Sequence, residues 1–147
     1  MFFIVSSDSD FTRLAVRLRE AGKYVIGIGE RKTPNAFIAS CDKFIYLEII
    51  EPLGSKSKQE AVQVSREAMD ALIQLLVVSV HDLADDNGYV FMGDLGNLIM
   101  KKQPDFDPRN YGFFQLTPLI ESLHLFEIDE RRIPNSNVKH VFVRNKQ

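Results

Sequence analysis

Apolar and polar positions fall into short blocks that predict alternating strands and helices. Phe2 to Val5 is a continuous apolar run of strand length; the polar stretch Ser6-Ser7-Asp8-Ser9-Asp10 follows, and Leu14, Leu18 and Ala21 then recur at helical spacing. This predicts strand, loop and helix, with Asp10 as the helix cap and Gly22 where the helix stops. Tyr24 to Ile28 alternates with glycines as a second buried strand. Thr33-Pro34 reads as cap and first residue of a short helix to about Ser40, and Phe44 to Leu47 makes a third strand. Three parallel strands with two connecting helices are half of a doubly wound α/β sheet. Right-handed crossovers would bring the Ser6–Asp10 and Gly29–Thr33 loops to its carboxyl edge, where ligands bind in such folds.

From Glu51 to Glu60 the pattern lapses into Pro, Gly, Ser and Lys with almost no large apolar residue, the composition of a linker. The boundaries read as residues 1–50, a linker over 51–60, and a second domain over 61–147. In the second domain Val64, Ala68, Ala71, Leu72, Leu75, Leu76 and Ser79 mark one helical stripe to about Leu83, ended by Asp85-Asp86-Asn87-Gly88. Tyr89 to Phe91 predicts a short strand and Asp94 to Lys102 a helix; Asp107-Pro108 opens a turn, and Thr117-Pro118 opens a helix to Leu123. Phe126 to Asp129 and Val138 to Val143 alternate as a hairpin around a tip at 133–137. This order of helices followed by a two-stranded wing describes an α+β winged-helix module.

Composition changes the picture in two places. At 147 residues, 45% hydrophobic and 26% charged, the chain has the makeup of folded domains, not of disorder or fibre. One cysteine and three scattered histidines exclude a disulfide framework and leave too few soft ligands for structural zinc. No run is long enough to cross a bilayer. A reducing, cytoplasmic setting without membrane contact is the expectation.

Net charge is -2, but it is unevenly spread: seven basic and six acidic residues over 1–50, two of each over 51–60, and nine against twelve over 61–147. The acids of the last segment crowd between Glu67 and Asp94, whereas Arg131, Arg132, Lys139, Arg144 and Lys146 follow Glu130 with no later acid. Because charges act over roughly a Debye length of about 8 Å at physiological salt, such a local patch can guide a phosphate backbone despite the negative sum; a solvated face is the simpler alternative.

Asp8 and Asp10 sit two apart just after a buried strand, an arrangement that suits a hard divalent cation such as Mg²⁺ with water and phosphate completing its shell. The alternative is that Asp8 shapes the turn and Asp10 caps the helix. In the second domain Lys101, Lys102, Arg109 and Tyr111 precede the third helix, and Arg131, Arg132 and Lys139 lie on the hairpin. These are candidate RNA contacts, with Tyr111 able to stack on an unpaired base. Phe106, Phe113 and Phe114 are expected to be core. His81, His124 and His140 have no ligand spacing, and Cys41 is expected to pack beside the third strand.

The run FIVSSDSDFTRLAVRLREAGKYVIGIGERKTPNAFIASCDKFIYLE, with its Ser-Asp-Ser-Asp-Phe, Gly-x-Gly-Glu-Arg-Lys-Thr-Pro and Cys-Asp-Lys-Phe-Ile-Tyr motifs, closely resembles the carboxyl half of an NYN domain, a PIN-like nuclease fold. The resemblance implies a partial PIN-like parallel sheet in which Asp8 and Asp10 are the late acidic residues of a ribonuclease site using Mg²⁺ or Mn²⁺. Ser7, Gly29, Lys32 and Thr33 would then face substrate phosphate at a helix amino terminus. The chain departs from the family in having neither an opening strand that ends in aspartate nor a middle acid. It therefore reads as a fragment or remnant of such a ribonuclease, with catalysis uncertain and an exposed strand edge open to self-association.

The run from GYVFMGDLGNLIMKKQPDFDPRNYGFFQLTPLIESLHLFEI through VFVRNK resembles the LOTUS domain, also called OST-HTH, over residues 64–146. That family is associated with binding RNA, single-stranded or structured, and in some animal proteins with docking a protein partner. The two resemblances together imply an RNA-associated protein; the alternative is a non-catalytic RNA-binding or protein-docking module.

Overall fold

The opening apolar run forms β1 (Phe2–Val5) of a parallel sheet, in a computed structural model that describes residues 1–50 and 64–146. A single 3-10 turn at Ser9–Phe11 leads into α1 (Thr12–Glu20), and Gly22, at φ +73°, turns the chain towards β2 (Val25–Gly29). That left-handed conformation favours glycine because it has no Cβ to clash. α2 (Asn35–Ser40) and β3 (Lys43–Tyr46) follow, and the sheet order is β1-β2-β3, with Ile4 beside Gly27 and Gly27 beside Phe44.

Three details differ from the sequence reading. Asp8, not Asp10, caps the first helical turn: its carboxylate accepts the Asp10 N–H, whereas α1 itself has no side-chain cap. Pro34, not Thr33, is the cap of α2, because the Thr33 hydroxyl donates to the Glu30 carbonyl instead. Leu47, expected at the end of the third strand, opens the short helix α3 (Leu47–Ile50).

The chain divides into two compact units, Met1–Glu60 with Met100–Asn110, and Ala61–Ile99 with Tyr111–Gln147. In the first, Ile4, Ala15, Val25, Phe37, Ile38, Cys41 and Phe44 form one core, closed by edge-on ring contacts of Phe44 with Phe37 at 5.9 Å and with Tyr46 at 5.4 Å. The Phe44 N–H donates to the Pro104 carbonyl, and the Tyr46 hydroxyl donates to the Asp105 carboxylate at 2.5 Å. Burial, that hydrogen bond and the negative charge of Asp105 push the Tyr46 phenol well above its ordinary value, so it stays protonated and donating. At the other side of the sheet, Phe2, Phe3 and Val5 of edge strand β1 are exposed.

Burial likewise raises the Cys41 thiol, which is 1% exposed. Cys41 should therefore resist a thiol-specific reagent at neutral pH until the first unit unfolds. Fast labelling of the native chain would show that this core opens locally.

The second unit carries α4 (Arg66–Leu83), capped by Ser65 through the Ala68 N–H, then β4 (Val90–Phe91) and α5 (Met92–Lys102), whose last three residues join the first unit. A 3-10 turn at Pro108–Tyr111 precedes α6 (Leu116–Leu123), and β5 (Phe126–Arg132) and β6 (Lys139–Asn145) form the expected hairpin. β6 is central in an antiparallel sheet ordered β4-β6-β5. Leu72, Leu76, Val80, Val90, Leu95, Ile99, Leu119, Ile120, Phe126 and Val143 are buried. Phe106 is core as expected, but Phe114 is 92% exposed: it lies between the turn at Gly112, φ +84°, and the first residue of α6, outside any helix face that could bury it. The proposed linker over 51–60 lies outside the described residues.

Candidate functional site

The carboxyl ends of the three parallel strands gather the predicted N-terminal site residues. Ser6 N–H donates to the Ile28 carbonyl, which continues the β1–β2 ladder by one residue, and the Glu30 N–H donates to Ser7 Oγ at 2.9 Å. The two loops are thus pinned together, with Ser7 acting as an acceptor between them. Gly29 is required by this approach: a Cβ there would lie 2.5 Å from the Ser6 carbonyl oxygen and 2.8 Å from Thr33 Oγ1. Its role is close packing of backbone. Thr33 is 5% exposed and closes the turn at Glu30 through a 2.6 Å hydrogen bond, and exposed Lys32 pairs with Glu30 at 3.0 Å. Sequence reasoning missed Glu48, which accepts the Arg31 N–H at 2.9 Å from the start of α3, while the Arg31 guanidinium lies over Tyr46. The expectation that Leu47 continued the strand hid that placement.

Asp8 and Asp10 are both exposed, and one Asp8 oxygen is engaged at 2.9 Å with the Asp10 amide. Among the described residues, no three His, Cys, Asp or Glu side chains come together as a metal-ion site. Two exposed carboxylates, one already serving its own turn, do not fit a metal centre by themselves; further ligands would have to come from elsewhere.

The candidate RNA contacts of the C-terminal part are placed differently from one another. Asp107 clamps Arg109, accepting from Nε at 3.0 Å, from Nη2 at 2.8 Å and from the backbone N–H at 2.9 Å. Burial works to raise the Asp107 carboxyl, but the Arg109 hydrogen bonds and charge together hold it below the ordinary carboxylate value. Arg131 pairs with Asp129 at 2.8 Å and Lys139 with Glu130 at 3.1 Å. Arg132 is exposed at the end of β5, and Lys101 and Lys102 are exposed in the last turn of α5, where their charge complements the helix dipole. Tyr111 is partly buried at the end of its 3-10 turn. Of the histidines, His124 is the left-handed cap of α6, at φ 55°.

Strand alternation turns a second set outward, of which sequence reasoning named the arginines but not the rings. The outer face of the β4-β6-β5 sheet carries Phe91, Arg131, His140, Phe142 and Arg144, with Tyr89 just ahead of β4. The signal was present: on β5 and β6 the positions alternating with the core residues Phe126 and Val143 are aromatic or charged, not simply polar.

A half-sheet with an acidic carboxyl edge, followed by helices and a three-stranded antiparallel sheet, defines a two-part α/β and α+β protein. The NYN domain profile matches residues 1–48 and the OST-HTH/LOTUS domain profile matches residues 63–138. The chain belongs to the OST-HTH/LOTUS family, with part of an NYN domain ahead of that module. Two solved structures are similar. One is the solution NMR structure of an uncharacterized protein of Nitrosomonas europaea, 30% identical, covering 65% of this chain and 87% of that one, with a TM-score of 0.48. The other is the solution NMR structure of a Chromobacterium violaceum protein segment, 27% identical, covering 50% of this chain and 78% of that one, with a TM-score of 0.41. No curated protein matches. Among the described residues no helix is long and apolar enough to cross a membrane.

Proposed function

We propose that this chain is an RNA-associated protein whose LOTUS module makes the RNA contact, and whose NYN part carries Asp8 and Asp10 as two acidic positions of a divalent-metal ribonuclease site that needs further ligands. The observation that carries this reading is the occurrence of both family matches in one chain, in that order. The acidic pair supports the incomplete-site part, since among the described residues no third ligand joins it. The exposed β1 edge is where a second copy or another NYN segment would supply the remainder.

A labelled single-stranded RNA titrated with the whole chain tests this, with Mg²⁺ or Mn²⁺ present and an EDTA control. Binding that weakens steeply between 50 and 200 mM salt, with the RNA left intact, is the expected result. Cleavage abolished equally by EDTA and by Asp8→Asn with Asp10→Asn would show that copies of this chain complete the site themselves. Absence of binding at low salt would overturn the RNA assignment.

A further inference from the structure

The outer face of the β4-β6-β5 sheet is built as a connected layer of rings and guanidinium groups. Its opposite face is core, with Val90 and Val143 buried. On the outer face, Phe91 lies 5.0 Å from His140 and 5.8 Å from Phe142, ring centre to ring centre. The Arg131 guanidinium sits 4.3 Å over Phe142 and 5.1 Å from Tyr89, and the Arg144 guanidinium sits 4.8 Å from Tyr89. Asp129 holds Arg131 and Glu127 holds Arg144, so both guanidinium groups are tethered where they can stack. Tyr89, Phe91, His140 and Phe142 all retain partial solvent exposure.

We infer that this face is a stacking platform for the unpaired bases of single-stranded RNA, an inference that rests on the RNA-associated reading above and names its binding surface. Aromatic rings and arginine planes both stack on bases, and every base offers a π face. Between Phe126 and Lys146 the chain holds five Lys or Arg against three Asp or Glu; Arg131, Arg144 and Lys139 pair with those acids, and exposed Arg132 and Lys146 carry the positive excess of the hairpin towards the phosphates of a bound strand. A cavity of about 500 Å³ opens beside Arg144, lined among others by His81, Asn87, Asn145 and Lys146. Its size is that of a small-molecule pocket.

The test compares binding of the full chain to three fluorescent probes: a single-stranded ten-nucleotide RNA, an abasic ribose-phosphate strand of equal length, and a duplex. The base-bearing single strand should bind about tenfold or more tightly than the abasic strand. Arg131→Lys, which keeps the charge but removes the stacking plane, and His140→Ala should each reduce that ratio severalfold without altering thermal unfolding. Equal affinity for base-bearing and abasic strands, or an unchanged ratio in both variants, would overturn the platform while leaving the RNA-associated reading intact. Binding to none of the probes would overturn both. Concentration-dependent NMR shifts of His140 and Phe142 without RNA would mean that this face pairs copies of the chain, and would likewise overturn the proposal.

Discussion

Gly29→Val should lose about 2–3 kcal/mol of stability in the N-terminal unit and release the acidic loop, an effect read as faster hydrogen exchange of the β1 and β2 amides. The cost comes from backbone. A Cβ at Gly29 would stand 2.5 Å from the Ser6 carbonyl oxygen, and Ser6 is held against the same strand by the bond from its N–H to the Ile28 carbonyl. The added side chain must therefore part the Ser6–Asp10 loop from the end of β2, which also separates Ser7 Oγ from the Glu30 amide. Gly96→Ala is the control: a Cβ there would meet only Leu116 Cδ2 at 3.8 Å, ordinary contact distance. In the interior of α5 it should be neutral or add up to roughly 1 kcal/mol, the helix-propensity difference. Unchanged exchange in Gly29→Val would mean that the two loops are not packed as tightly as the geometry requires.

That glycine marks where the sequence could be read and where it could not. Strand and helix positions followed from period, because in a chain with two small cores the apolar residues must lie on the faces that bury them. The βαβαβ order, the hairpin and the burial of Cys41 and Phe106 were all legible for that reason. Phe114 was not, since its exposure depends on where the chain leaves the Gly112 turn, and composition carries no trace of that geometry. The candidate site was legible as a set of positions but not as a set of roles. Thr33, Ser7 and Gly29 were recognised as belonging together, yet Thr33 closes its own loop, Ser7 holds the neighbouring loop at Glu30, and Gly29 admits a neighbouring carbonyl. Such roles arise from contacts over more than twenty residues, as between Ser7 and Glu30, and no local pattern encodes them. The rings of the outer sheet face were overlooked for the opposite reason: their local alternation was visible, but Tyr111 was the one ring read as a stacking surface, and Phe106, Phe113 and Phe114 were read as core.

Arg109 was a candidate RNA contact by sequence and is the clamp of a buried carboxylate in the structure, and the two roles give opposite results on mutation. Arg109→Ala removes both guanidinium bonds to Asp107, a residue only 7% exposed, and leaves that carboxylate with the single backbone N–H of residue 109. Stranding a buried charge in this way costs about 1.5–3 kcal/mol, towards the lower end here because the guanidinium is 39% exposed and screened by water. The pH dependence follows from the direction of the Asp107 shift. Its folded value lies below the ordinary one, so its contribution is complete above about pH 4, where the unfolded carboxylate is ionised, and is lost as pH falls through the depressed folded value. In Arg109→Ala the burial of Asp107 is opposed only by the backbone N–H of residue 109 and the charge of Lys43, its carboxyl rises, and the acid limb of the stability profile should move to higher pH. RNA binding should show the reverse pattern of sensitivity. Because Asp107 already neutralises Arg109, its loss should leave the slope of log affinity against log salt unchanged, whereas Arg132→Ala, at an exposed strand end, should reduce that slope by about one. Thermal unfolding at pH 3, 5 and 7 beside salt-dependent anisotropy would decide between the roles. A smaller salt slope with an unshifted unfolding temperature in Arg109→Ala would return this residue to the RNA surface.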